Sequence, residues 1–350
     1  MTRAGSFKKV VRRHAEETGQ RYTEALTDLE GLGARMDHQP VADRLLAHLR
    51  RRYGIDAVAA TKVSVHKTYV FRIDRNDGDP WIARAFPPAR PLAGAEGDAA
   101  ILRFLERQGF PAERLAVDDA VSDFEGSPVL VTRFVESRPF PDVAEKLAMM
   151  GDLLGRLHTL PFDETVARPG GASGEDPSRE GSPGQDLLAA LAFLDSVDTR
   201  VSAGNREEFE RLRDQVRTAD DGQGLPEGLV HGNLLHSPDH ALLTDHGPVA
   251  INWKASGRGP RLADFAWLMW GTWLKKDHVE AAIGGYRRHV ELTDDELDRF
   301  EAVMYIRPLY LVSYGYRRSV MNGTPFDEWG FIDPKYIEAA AAMTRAAFRR

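Results

Sequence analysis

Alternating hydrophobic and polar residues between Ala57 and Phe86 predict β-strands. The period of two runs through VAATKVSVHK, TYVFRID and PWIARAF, and the turn residues 75–79 separate the second run from the third. Because alternation places successive side chains on opposite faces, these runs indicate three antiparallel strands joined by tight turns. Two later runs, Arg114–Val121 and Ser127–Phe134, predict a fourth and a fifth strand.

One helix is predicted within this sheet domain. Ile101, Leu102 and Leu105 follow helical spacing over residues 96–108, and Gly109 marks the end. A five-stranded antiparallel sheet with one helix packed on it is therefore expected over residues 57–135.

Residues 1–56 are predicted to form an N-terminal helical extension. After Pro40, the side chains of Val41, Leu45, Leu46 and Leu49 repeat at helical spacing. The extension is expected to pack on the body of the protein or to dock a protein partner.

Residues 136–350 predict a second, mainly helical domain. Helices are expected at 144–160, 185–198 and 204–219, and again from Ala263 onward, with a short hairpin near 241–253. Eight of the seventeen residues in 168–184 are Gly or Pro, which predicts a long mobile loop.

Composition narrows the function classes. The 350 residues include 46 Lys and Arg against 53 Asp and Glu, so the formal charge of -7 excludes a generally basic nucleic-acid binder. The chain has no cysteine, which removes disulfides and cysteine nucleophiles and suits a reducing compartment, so we expect a cytoplasmic protein. The basic N-terminus lacks the apolar segment of a secretory signal, and no apolar run predicts a membrane span.

Two segments carry a resemblance to known enzymes. LVHGNLLHSPDHALLT at 229–244 and VAINWKASGRGPRLADFAWLMW at 249–270 resemble the catalytic core of the aminoglycoside phosphotransferase and choline kinase families. Upstream, LLGRLHTLP at 153–161 and VLVTRFVE at 129–136 resemble the first helix of the larger lobe and the hinge strand of these kinases. The resemblance covers about residues 57–320 and implies a two-lobed, protein-kinase-like α+β fold with a catalytic loop at 229–256.

The resemblance also assigns chemistry, and this chain departs from it. Asn233 stands where the families have the aspartate that accepts the hydroxyl proton, and an amide cannot accept a proton at neutral pH. His236, Asp239 and His240 are the neighbours that could substitute for this base. His231 is a further catalytic candidate, for which a scaffold role in the catalytic loop is the favoured alternative. Asn252 replaces the aspartate that holds Mg²⁺, and allowing a two-residue insertion puts His240 at the second metal position, although imidazole is a poor Mg²⁺ ligand.

For ATP, the resemblance implies contacts in the smaller lobe. Arg84 replaces the lysine that holds the phosphates, with Asp98 or Glu96 as its carboxylate partner; a plain strand cation is the alternative for Arg84. The remaining nucleotide candidates are the phosphate-loop residues Ser64, His66 and Lys67 and the hinge residues Val131 and Phe134.

Other polar and aromatic residues favour structural roles. The resemblance implies that Asp264 braces the catalytic loop through hydrogen bonds, and His158 is expected to be a satisfied structural histidine. Trp267, Trp270 and Trp273 form a helical stripe for which core packing is favoured over lining a substrate pocket.

Two functions remain open. The first is a degenerate kinase that binds nucleotide, a cationic small molecule or a peptide without turnover. The second is an active ATP- and Mg²⁺-dependent phosphotransferase that acts on a hydroxyl of a small molecule or on Ser/Thr of a natural-product precursor peptide.

Overall fold

The computed structural model describes residues 40–63, 69–88, 90–161, 183–234, 240–273, 275–323 and 334–349. The described residues divide into two compact units. The first holds the residues up to Pro88 together with Ala116–Phe134, and the second holds the residues of Ala89–Leu115 and Val135–Arg350.

The first unit is an antiparallel sheet with a helix against it. Helix α1 covers residues 40–53. The strands follow the order β1-β2-β3-β5-β4, which confirms the predicted five-stranded sheet; they are β1 (Ala57–Lys62), β2 (Tyr69–Arg75), β3 (Trp81–Ala85), β4 (Val121–Phe124) and β5 (Ser127–Arg133).

Helix α1 packs on this sheet. Leu45 and Leu49 are fully buried, and His48 Nε2 lies 3.0 Å from Ser122 Oγ on β4. The Tyr53 ring meets Trp81 of β3 edge-on at 5.8 Å. Residues 40–53 of the predicted extension thus contact the body of the protein, and residues 1–39 lie outside the described residues.

The position of the fourth strand differs from the prediction. The expected strand at 114–121 is wrong, because residues 116–119 bend and the strand begins only at Val121. Ala116 N–H donates to Val131 O on β5, and Val131 N–H donates to Ala120 O. Residues 116–120 therefore form a loop against β5 where regular strand pairing was expected. Strand β4 then turns back into β5 through Glu125 and Gly126, whose φ values of 54° and 80° are left-handed.

The second unit is mainly helical, as predicted. Its helices are α2 (Leu92–Arg107), α3 (Val143–His158), α4 (Pro183–Asp195), α5 (Arg206–Thr218), α6 (Arg261–Gly271), α7 (Lys276–Tyr286), α8 (Asp294–Val303), α9 (Ile306–Asn322) and α10 (Pro334–Phe348). Two short ladders complete it, one pairing β6 (Glu227–Val230) with β9 (Gly257–Pro260) and one pairing β7 (Ala241–Thr244) with β8 (Gly247–Ala250). The second ladder is the predicted hairpin.

The predicted Gly/Pro-rich loop extends two residues too far. Residues 162–182 lie outside the described residues, whereas Pro183 and Gly184 already belong to α4. Proline suits the first turn of a helix because its missing N–H has no intrahelical partner there.

Helices α3 and α7 approach each other at backbone contact. A Cβ atom built on Gly151 would lie 2.1 Å from Ala282 O, and one on Gly285 would lie 2.1 Å from Ala148 O. These glycines let the two helices pack closely, so Tyr286 on α7 reaches His158 on α3. No helix among the described residues is long and apolar enough to cross a bilayer.

Candidate catalytic loop and its neighbouring pocket

Strand β6 delivers the loop His231–Asn233, and Asp264 holds it in place. Val230 at the end of β6 pairs with Gly257 of β9, and β9 runs directly into α6, whose first turn carries Asp264. His231 N–H donates to Asp264 Oδ2 at 2.6 Å, and Gly232 N–H, at a left-handed φ of 77°, donates to Oδ1 at 3.0 Å. The predicted brace is confirmed.

His158 contacts Asp264 and is itself bonded to Tyr286. His158 Nε2 lies 3.4 Å from Asp264 Oδ2, and its Nδ1 lies 2.8 Å from the Tyr286 hydroxyl. The side chains of His158 and Asp264 are 0% and 1% exposed. Burial raises the pKa of Tyr286 well above 10.0, so its hydroxyl keeps its proton. His158 is the satisfied structural histidine that the sequence predicts.

His231 acts as a scaffold within the loop. Its Nε2 donates to Ile251 O at 3.0 Å, and its Nδ1 accepts the Asn233 N–H at 3.3 Å, so the neutral ring uses both nitrogens. Complete burial lowers the pKa of His231 below 6.5, chiefly by desolvation, although the nearby Asp264 carboxylate opposes this. Because both ring nitrogens are engaged, this geometry does not support the catalytic role predicted for His231.

Asn233 makes a specific contact with an aromatic residue. Trp267 Nε1–H donates to Asn233 Oδ1 at 3.1 Å, which fixes the amide with its oxygen toward α6. The Asn233 side chain is half-buried. Sequence alone did not indicate this pairing, because the helical stripe favoured core packing for Trp267.

His240 joins the two substituted positions. Its Nδ1 bonds to Asn233 O, a carbonyl that can only accept, so Nδ1 carries the proton. Its Nε2 therefore accepts from Asn252 Nδ2 at 2.9 Å. Asn233 and Asn252, the residues predicted at the catalytic and metal positions, are thus joined through one imidazole.

Asn252 adopts a strained backbone that a buried carboxylate supports. Its φ of 72° and ψ of 61° are left-handed, and its N–H donates to Glu113 Oε1 at 2.6 Å. Glu113 is only 3% exposed. Sequence reasoning missed Glu113, since an isolated acidic residue in FPAERL gives no signal of a partner 139 positions away.

Magnesium does not fit the donor set of the described residues. Both ring nitrogens of His240 are engaged, and Asn252 commits its amide nitrogen to that ring, which leaves one neutral oxygen where hard cations prefer several charged ones. Among the residues with described positions, no group of three His, Asp or Glu side chains could hold a metal ion. The metal roles predicted for Asn252 and His240 are not supported by this arrangement. His236 and Asp239 lie outside the described residues.

The predicted nucleotide residues divide between the two units. In the first unit, Arg84 is buried on β3 opposite Leu130 of β5, and the neighbouring pair in the ladder is Ala83 with Val131. The guanidinium of Arg72 lies 4.5 Å from the Phe134 ring. Ser64, His66 and Lys67 lie outside the described residues.

Asp98 belongs to the second unit and is bonded to an arginine that the sequence did not single out. Arg90 Nη2 donates to Asp98 Oδ1 at 2.8 Å and to Gly94 O at 3.1 Å. Asp98 is 1% exposed, so this ion pair is buried.

A pocket of about 460 Å³, including its open mouth, adjoins the loop within the second unit. Gly232, Trp267, Trp270 and Met304 contribute to its wall, as do the charged residues Asp186, Asp264 and Arg307. The favoured core role of the tryptophan stripe is therefore wrong: Trp267 and Trp270 line the pocket, and Trp273 is 63% exposed.

The charged groups of this pocket are paired. Arg307 Nη1 donates to Asp186 Oδ2 at 2.9 Å, and the guanidinium lies 5.1 Å from the centre of the Trp267 ring. Both Asp264 oxygens receive backbone N–H groups. An apolar pocket with few, fixed polar groups is typical of small-molecule sites.

Comparison with known proteins identifies the family of the chain. Residues 63–300 match the model of the phosphotransferase enzyme family. No curated protein matches the sequence.

Solved structures share the fold. An amicoumacin kinase solved with AMP-PNP, Ca²⁺ and amicoumacin is 14% identical, with a TM-score of 0.56, and the match covers 86% of this chain and 98% of that one. A spectinomycin phosphotransferase solved with ADP and spectinomycin is 12% identical, with a TM-score of 0.55 and coverage of 87% and 98%. A choline/ethanolamine kinase family protein from Mesorhizobium loti is 17% identical, with a TM-score of 0.58 and coverage of 88% and 98%. The predicted two-lobed α+β kinase-like fold is confirmed.

Proposed function

We propose that this chain, which belongs to the phosphotransferase enzyme family, is a degenerate member of that family. It binds a small-molecule or peptide ligand and does not transfer phosphate. The observation that carries this proposal is the network in which Asn233, His240 and Asn252 satisfy one another while Trp267 holds the Asn233 amide oxygen. Loss of a general base costs about 10²- to 10⁴-fold in rate.

The carboxylates near the loop support this proposal, because the described ones have structural duties. Asp264 accepts the backbone N–H groups of His231 and Gly232, and Glu113 accepts that of Asn252. Both carboxylates thus hold backbone N–H groups of residues 231–252 in place.

Nucleotide binding is proposed for the sheet unit, with Arg84 as the phosphate contact and Val131 and Phe134 as base contacts. Support comes from the buried cation on β3 and from relatives of the same fold that were solved with AMP-PNP or ADP. Those relatives also hold antibiotics, which favours a small molecule as the second ligand. The formal charge of -7 favours a cationic group on it.

Two further expectations stay proposals. Docking of a protein partner would use residues 1–39, because residues 42, 45 and 49 of α1 are buried in the sheet unit. A cytoplasmic location is consistent with a chain that has no cysteine.

Thermal shift and phosphate-release assays together test the proposal. ATP is expected to raise the melting temperature equally with Mg²⁺ and with EDTA, and phosphate release is expected to equal that of Asn233→Ala. Mg²⁺-dependent phosphate release that Asn233→Ala abolishes would show an active phosphotransferase instead.

A further inference from the structure

Arg307 is a cation that the chain itself places in the wall of the pocket. It is the second residue of helix α9, and its Nη1 donates at 2.9 Å to Asp186 Oδ2 in the first turn of helix α4. The side chains of Arg307 and Asp186 are only 11% and 7% exposed. Because the ion pair is buried, water and salt screen its attraction little.

Two aromatic rings flank the same guanidinium. Its central carbon lies 5.1 Å from the centre of the Trp267 ring on α6 and 5.6 Å from the centre of the Tyr310 ring, one turn further along α9. Aromatic faces within about 6 Å attract cations, and tryptophan does so most strongly. A carboxylate with two aromatic rings is a set of groups that suits an organic cation, and here the guanidinium of Arg307 occupies it.

These groups belong to the pocket. Asp186, Trp267 and Arg307 all line it, and most of its other lining residues are apolar. A ligand that carries a cation into the pocket therefore meets a carboxylate that Arg307 already holds. The arginine side chain has several rotatable bonds, so its guanidinium can leave the carboxylate without any movement of the helix.

We infer that Arg307 is a resident cation: it occupies a cation site made by Asp186, Trp267 and Tyr310, and a cationic ligand binds by displacing its guanidinium. This inference rests on the proposal that the chain binds a cationic small molecule, and it names the chemical group on that ligand. Since the resident group is a planar guanidinium paired with a carboxylate, the matching ligand group is a guanidinium or an amidinium. Arg307 thus determines specificity, because a neutral ligand brings no charge that can replace it.

The displacement weakens binding by a measurable factor. The apparent affinity for the cation is the intrinsic affinity multiplied by the fraction of chains in which the guanidinium has left Asp186. If that fraction is below about one in ten, removing the guanidinium tightens the binding of a cation by at least about tenfold.

Benzamidinium and benzamide test this, because they share their ring and shape and only the first is charged. In titration calorimetry of the full chain, Arg307→Gln is expected to bind benzamidinium at least about tenfold more tightly than wild type and benzamide within about threefold of wild type. The double variant Asp186→Asn/Arg307→Gln is expected to lose the gain, because the carboxylate that attracts the cation is gone.

Arg317→Gln is the matched control. Arg317 lies on the same helix with its guanidinium 5.5 Å from the centre of the Phe193 ring, and it is not among the residues that line the pocket. Its replacement is expected to leave the affinity for both probes unchanged.

The inference is overturned if the gain of Arg307→Gln for benzamidinium does not exceed its gain for benzamide by at least about threefold, or if neither probe binds either protein. Where Arg307→Gln folds poorly, Arg307→Lys keeps a charge beside Asp186 and loses only the planar fork. It is then expected to tighten benzamidinium alone by at least about threefold, and an unchanged affinity overturns the inference.

The same experiment separates this inference from the proposed function. Binding of both probes with equal gains refutes the resident cation and leaves the small-molecule site standing, whereas binding of neither probe contradicts both. Phosphate transfer by wild type would refute the proposed loss of transfer and leave the calorimetric comparison valid.

Discussion

Asp264→Asn removes the brace of the catalytic loop and changes little else in shape. The carboxylate is 1% exposed and accepts N–H groups at 2.6 Å and 3.0 Å, one on each oxygen. An amide has one oxygen, so whichever way it turns, its amino group faces the N–H of His231 or of Gly232. One backbone donor is then left buried without an acceptor.

The expected loss of unfolding free energy in Asp264→Asn follows from these contacts. Two hydrogen bonds to a buried charge contribute about 1.5 to 3 kcal/mol each. Asparagine retains one of them at about 1 kcal/mol and avoids the desolvation of the carboxylate, which offsets part of the loss. We expect the free energy of unfolding to fall by about 3 kcal/mol.

Urea denaturation followed by far-ultraviolet circular dichroism measures this loss. Asp245→Asn is the matched control. The Asp245 side chain is 92% exposed and its ion pair with Arg138, at 3.6 Å, is open to solvent, so this variant is expected to leave the unfolding free energy unchanged. If Asp264→Asn and Asp245→Asn unfold at the same urea concentration, Asp264 does not hold the loop and the reasoning fails.

Two further predictions concern packing and pH. Gly285→Ala is expected to lower the unfolding free energy by at least about 1 to 3 kcal/mol, because its Cβ would meet Ala148 O at 2.1 Å. The neighbouring Gly284→Ala meets nothing within 4 Å and is expected to stabilise helix α7 slightly, and equal thermal midpoints for the two variants would contradict the close helix contact. Burial lowers the folded pKa of His231 below 6.5, so below that pH the unfolded chain binds the proton first and stability is lost as the pH falls. Urea midpoints at pH 7.5 and 5.5 are expected to differ less in His231→Asn than in wild type, and an equal or larger difference in the variant would exclude this contribution.

The sequence predicts those features that local pattern controls. Alternation through residues 57–86 identifies three strands, and the turn residues 245–248 identify the β7–β8 hairpin. The brace by Asp264 is predicted from the family resemblance of the segments that contain His231 and Asp264. Each of these depends on neighbours in the chain or on a recognisable motif.

Contacts between distant positions could not be predicted in the same way. Trp267 reaches Asn233 across 34 positions, and its helical spacing equally suits core packing and a pocket wall. Glu113 supports the left-handed Asn252 across 139 positions, and nothing in its local sequence indicates that partner. The bend at 116–119 displaces β4, because its hydrogen bonds to Val131 depend on a strand that comes later in the chain.

Asn233 and Asn252 take part in the hydrogen bonds of the loop. The scaffold that positions the loop is retained in His231 and Asp264, whereas the two positions for chemistry carry amides that bond to His240 and Trp267. The stability of the loop and the proposed loss of transfer thus depend on different residues, which allows them to be tested separately.

The measurement that tests this account most directly is Mg²⁺-dependent ATP hydrolysis by wild type and by the double variant Asn233→Asp/Asn252→Asp. The double variant places carboxylates at the two positions proposed for the base and the metal ligand. We expect its rate to exceed that of wild type by about 10²-fold or more, with wild type at the level of Asn233→Ala. A wild-type rate that the double variant does not exceed, and that Asn233→Ala abolishes, would contradict the account.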